Sequence, residues 1–170
     1  MNGIEIGNVE FHDDGTNLIV NVQVRNTSNR TLHVYASPRG IRYDPATRVL
    51  TVLLTDRELG KNLVGGSFVM PRFTTVDPNG QAVLTLKLPR FLTRLTGASS
   101  GGGANFERLA IHEATAVEVE VSWSDKPFYA DPRQKKLSAR EQLVKWGKDV
   151  ARGRGHRRAD SPASAGAGAK

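Results

Sequence analysis

The chain has 170 residues, 24 Lys and Arg against 17 Asp and Glu, no cysteine, and 38% hydrophobic residues. That length suits one domain with a self-sufficient core and some chain to spare, and the missing cysteines exclude disulfides and thiolate metal sites. The charge is uneven: residues 1–125 carry 12 basic and 13 acidic side chains, while residues 126–170 carry 12 and 4, so attraction to nucleic acid, anionic lipid or an acidic partner belongs to the C-terminal part.

The opening MNGIEIGNVEFHDDG has neither the basic nor the apolar stretch of a secretory leader. No segment reaches the ~18 apolar residues of a membrane span. The expected compartment is the cytoplasm. Ile4, Ile6, Val9 and Phe11 predict a first strand with an irregularity near Gly7, followed by an Asp13-Asp14-Gly15 turn. Leu18, Val20, Val22 and Val24 alternate with polar or outward residues, the period of a half-buried strand. After Asn26-Thr27-Ser28-Asn29-Arg30 the pattern resumes with Leu32, Val34 and Ala36 inward and His33 and Tyr35 outward. Asn26 and Asn29 each begin an N-x-[ST] sequon, but short polar residues between two alternating runs read first as turn chemistry.

Residues 48–56 are apolar on both faces, the pattern of a strand buried on both sides or of an edge covered by something else. A weaker strand over 67–76 is broken by Met70-Pro71, and the turn Asp77-Pro78-Asn79-Gly80 leads into Ala82, Leu84, Leu86 and Leu88 at period two. Residues 91–105 start as a short helical turn and end in the flexible-looking GASSGGGAN. Val117, Val119, Val121 and Trp123 close the series with their apolar side inward. In the basic part, Ser138-Ala139-Arg140-Glu141 is a capping box that opens a helix over 139–152. Leu143, Trp146 and Val150 share one face of it, and Gly147 weakens it by about 1 kcal/mol. Past Gly153 the chain has little to bury and is expected to be disordered.

Seven to eight strands spaced by turn residues predict an all-β antiparallel sandwich over residues 1–125, a linker and amphipathic basic helix over 126–152, and a disordered tail over 153–170. The succession resembles the immunoglobulin-like or fibronectin-like superfamily: VNVQVRNTSNRTLHVY is similar to its B–C strand pair, PNGQAVLTLKLP to its E strand and TAVEVEVSW to a late F or G strand. The cysteine pair of antibody domains is absent, and Trp123 stands in a late strand. The resemblance implies a scaffold for binding, with the ligand left open.

No constellation of residues announces catalysis. The Gly-rich stretch lacks the Gly-Lys-[Ser/Thr] that meets phosphate, and no G-x-S-x-G elbow occurs. His12, His33, His112 and His156 are scattered, and His12-Asp13-Asp14 or His112-Glu113 offers fewer ligands than zinc uses. Asp13, Asp14 and Asn17 carry calcium-type oxygens, but turn chemistry accounts for them. The sequence therefore predicts no metal, no cofactor and no catalytic residue. Phe128, Tyr129, Arg133, Leu143, Trp146 and Val150 are the candidate protein-binding residues, with folding of the chain back over the sandwich as the plainer role for Phe128 and Tyr129. Lys145, Lys148, Arg152, Arg154, Arg157 and Arg158 are the candidate anion-binding residues, able to grip phosphates without sequence preference or simply to solubilise the chain end.

The reading is a non-enzymatic protein–protein interaction module, a component or adaptor of a homo- or hetero-oligomeric assembly. Two alternatives stand beside it. One is a nucleic-acid binder working through the basic tail. The other is an inhibitor-like cap using the loops at 37–44 and 61–70.

Overall fold

The structure is a computed structural model and describes residues 3–56, 70–98 and 100–158. In chain order its elements are β1 (Ile4–Asp13), β2 (Asn17–Asn26), β3 (Leu32–Tyr35), β4 (Gly40–Asp44), β5 (Val49–Leu54), β6 (Phe73–Val76), β7 (Gln81–Pro89), β8 (Leu92–Ala98), β9 (Ala104–Leu109), β10 (Ala116–Ser124), α1 (Ala139–Trp146) and β11 (Asp149–Arg157). Nine strands form one curled sheet in the order β4-β5-β10-β11-β1-β2-β7, with β3 bonded to β10 and β6 bonded to β3. Strands β8 and β9 form a separate ribbon.

The protein is all-β overall, as the alternation predicts. The sheet is mixed, however, where an antiparallel one was expected: β5 runs parallel to β10 and β1 runs parallel to β11. Its inner face encloses a single core. Phe11, Leu18, Val20, Val22, Leu50, Val52, Val117 and Val121 are all fully buried there. The irregularity near Gly7 is a register shift between Ile6 and Val9 in the β1–β2 ladder. The covered second face of β5 is met at Leu53, which is buried with its neighbours Leu50, Val52 and Leu54.

The largest correction concerns the C-terminus. Residues 149–157 are the strand between β10 and β1, with eight register partners along β10. The helix stops at Trp146, and Gly147 is its C-cap, not a weak point inside it. The division at residue 125 is therefore not a division of the fold. The missed signal lies in ARGRGHR. Ala151, Gly153 and Gly155 alternate with Arg152, Arg154 and His156, a strand whose inner residues are small. They must be small, because a Cβ on Gly155 would stand 1.8 Å from the Val9 carbonyl oxygen and one on Gly153 would stand 2.4 Å from Ile6.

Two other expectations change. Residues 92–98 form a strand, not a helical turn, and pair with β9 across the Gly-rich connection, Leu95 opposite Phe106. Tyr35 is buried although it lies on the outer side of β3, because α1 covers that side. Of the proposed inhibitor loops, 40–44 is strand β4, and 61–69 lies outside the described residues.

Candidate functional site

Helix α1 forms because its ends are satisfied locally. Glu141 N–H donates to Ser138 Oγ at 3.2 Å, and Ser138 N–H donates to Glu141 Oε2 at 2.7 Å. Gln142 ties the approaching chain to the helix: its Oε1 accepts from Asp131 N–H at 2.8 Å and its Nε2 donates to the Asp131 carbonyl at 3.1 Å. Leu143 is driven fully into the core, a burial that stabilises by about 2 kcal/mol. Gly147 lets the chain turn tightly over the sheet, where a Cβ would lie 3.0 Å from Ser122 and 3.4 Å from the Tyr35 ring. The Ser122 hydroxyl donates to the Gly147 carbonyl at 2.8 Å.

The docked helix completes an aromatic cluster. Trp146 lies 4.9 Å from Phe73, 5.7 Å from Tyr35 and 6.1 Å from Phe128, ring centre to ring centre. Its indole N–H donates to the Lys126 carbonyl at 2.6 Å. Beneath the helix, Asp56 is a buried carboxylate accepting from Tyr35 O–H at 2.9 Å and Arg39 Nε at 3.2 Å, with the Arg140 guanidinium 3.9 Å away. Burial, then the Asp56 charge, pushes the Tyr35 phenol well above its usual range, so it stays a proton donor. This network ties β3, β5 and α1 together and leaves no exposed acid.

Between the helix and the chain that leads to it runs a groove of about 380 Å³, lined by Lys126, Pro127, Phe128, Tyr129, Lys145 and Trp146 among others. Phe128 is half-buried against the cluster, whereas Tyr129 is 80% exposed. Residues 126–148 hold seven Lys and Arg against Asp131 and Glu141 alone. The groove is therefore aromatic at its floor and cationic at its rim, the character that suits an acidic segment with an aromatic or apolar anchor.

The structure thus brings together Phe128, Tyr129, Lys145 and Trp146 of the candidate residues. Leu143 lies beneath them in the core, Arg133 pairs with Asp131 at 3.2 Å on the surface, and Val150 sits on β11 opposite Ser122, off the helix face predicted for it. The proposed anion-binding set comes apart. Arg152 meets Glu120 and Arg154 meets Glu118, each at 2.9 Å and each directly across the β10–β11 ladder. Arg157 donates to the carbonyls of His112 and Ala114, and Arg158 approaches Glu10 at 4.0 Å. Only Lys145 and Lys148 keep exposed ammonium groups with no salt bridge among the described residues. Lys126, Gln142 and Phe73 were not singled out from the sequence, since only the dock of α1 onto β3 and β6 brings the first two to the groove and Phe73 against Phe128 and Trp146.

The Asp13–Asn17 turn is occupied by its own backbone. Asp13 accepts from Gly15 N–H at 2.9 Å and from Arg90 at 2.9 Å, and Asp14 accepts from Thr16 and Asn17 N–H. Asn26 is wholly buried, its amide donating to the carbonyls of Arg30, Val76 and Asp77 at 2.7, 3.0 and 3.0 Å. It is a structural pin and offers no nitrogen to a glycan. Among the described residues no three His, Asp or Glu side chains gather as a metal site would need, and no helix is long and apolar enough to cross a membrane.

Fold and site together define an all-β domain carrying a helix-capped aromatic groove. No family model matches the chain, and no curated protein or solved structure matches it either.

Proposed function

We propose that this chain is a non-enzymatic protein-interaction module, a component of a larger assembly, whose groove between residues 126–129 and α1 takes an acidic segment of a partner protein. The observation that carries the reading is Tyr129, 80% exposed beside the half-buried Phe128 and Trp146 and under a rim of lysines. A large ring left in water next to an aromatic floor is the composition of an interface anchor. The immunoglobulin-like likeness of the early and late strands belongs to the same proposal and points the same way, since such scaffolds present binding surfaces. Nucleic-acid binding is the less favoured reading, because Arg152 and Arg154 spend their charge on Glu120 and Glu118.

The test is cross-linked affinity capture of the tagged protein from its own cells, run in parallel for the native chain, Tyr129→Ala and Lys145→Glu. A protein partner recovered by the native chain and lost with both variants supports the groove. Full recovery by both variants overturns it, as would capture of nucleic acid alone.

A further inference from the structure

Strands β6 and β7 are joined by the turn Asp77-Pro78-Asn79-Gly80, closed by Gly80 N–H donating to the Asp77 carbonyl at 2.9 Å, with Asn79 at φ 58°. A turn this tight ordinarily sets two strands side by side. Here β6 is bonded to β3 and β7 to β2, with no ladder between β6 and β7 among the described residues. The cause is Asn26. Its amide ties the Val76 and Asp77 carbonyls to the β2–β3 connection, while its own N–H holds the Gly80 carbonyl at 2.9 Å. Two sheet edges are left facing each other across a groove of about 240 Å³ lined by Ala36, Arg72, Phe73, Thr74, Val83 and Thr85 among others.

The β7 edge is nine residues long, runs without a bulge along β2, and carries Val83 at 60% exposure. Long edges are normally blunted by charge, proline or a bulge, and an edge that is not blunted pairs with another chain. In β7 the blunting residues, Lys87 and Pro89, stand only at the far end. Arg72 is exposed and carries no salt bridge among the described residues, whereas the Lys87 charge acts on the Asp14 carboxylate at the far end of the edge. The unpaired backbone groups ask for an extended chain, and the unneutralised Arg72 in the groove lining asks for a carboxylate on it.

We propose that the seam between β6 and β7 binds an extended acidic segment of a partner protein by strand addition, backbone to the β7 edge, with an apolar side chain against Val83 and a carboxylate at Arg72. The β7 edge of a second copy, QAVLTLKLP, would bring a lysine and no carboxylate to Arg72, so a partner segment is the occupant the charge selects. Phe73 lines the seam and touches Phe128 and Trp146 of the aromatic groove, but Tyr129 lines the groove alone, so Tyr129→Ala distinguishes the two sites.

The probe is a synthetic peptide of about eight residues alternating Val and Glu, titrated into the full chain while amide exchange is followed by NMR. Binding should slow exchange of the outward N–H groups of β7, and N-methylation of alternate peptide nitrogens should abolish it. Val83→Lys, at an exposed position, should weaken binding about tenfold with the melting temperature preserved. Tyr129→Ala should leave it unaltered. The proposal is overturned by absent binding, by binding that survives both N-methylation and Val83→Lys, by loss with Tyr129→Ala, or by β7 protection that rises with protein concentration without peptide.

Discussion

Single side chains pin this protein at the points where its connections meet. Asn26 satisfies three carbonyls and accepts from the Ser28 N–H and hydroxyl at 2.9 and 2.7 Å. Replacing it with Ala strands buried acceptors and should cost about 3 kcal/mol, read from denaturant unfolding. Asn29→Ala, at an exposed neighbour in the same connection, should cost far less. Asp13 gives a pH signature. Burial raises its pKa, but Gly15 N–H and the Arg90 guanidinium outweigh burial and leave it below the usual carboxylate range. Its stabilising contribution is therefore complete above the unfolded value of about 4 and is lost as the pH falls through the lower folded value. Thermal melts should show Asp13→Asn less stable than the native chain at neutral pH, with the gap narrowing below about pH 4.

Among the elements, α1 and β11 carry the lesson. The capping box was legible because it is a local hydrogen-bond exchange over Ser138 to Glu141, and it formed as expected. The stopping point was not legible: Gly147 ends the helix because Ser122 and Tyr35 approach it, and both are remote in sequence. Leu143→Ala should cost about 3 kcal/mol and loosen the groove, seen as increased quenching of Trp146 fluorescence. Strand β11 escaped a reading based on hydrophobic runs because its inner residues are Ala and Gly, required by the close approach of β1. Gly155→Val should abolish cooperative unfolding, whereas Arg154→Gln, on the exposed side of the same strand, should cost well under 1 kcal/mol.

Seen whole, the molecule is built on one nine-stranded sheet, beside the β8–β9 ribbon, in which the last described strand lies between the first and the tenth. Pairing β1 with β11 joins the two ends of the described chain, a contact of large sequence separation that slows folding. Residues 1–125 alone would lack β11 and leave facing edges on β10 and β1. That fragment should show no cooperative melt by circular dichroism, where a self-sufficient sandwich over those residues would. Refolding of the full chain should fall in the slow range of milliseconds to seconds, measured by stopped-flow Trp fluorescence.

Local patterning by itself determined β1, β2, β3, β5, β7 and β10 and the Asp13–Gly15 and Asp77–Gly80 turns, whereas β4 read as a loop. Those features depend on residues a few positions apart, where period two and turn chemistry act directly. Tertiary structure alone decided that ARGRGHR is a central strand, that its arginines answer Glu118 and Glu120, that α1 covers Tyr35 and Phe73, and that β6 and β7 part at Asn26. Each of these depends on which distant backbone comes close enough to leave room for only a glycine, to cancel a charge, or to claim a carbonyl.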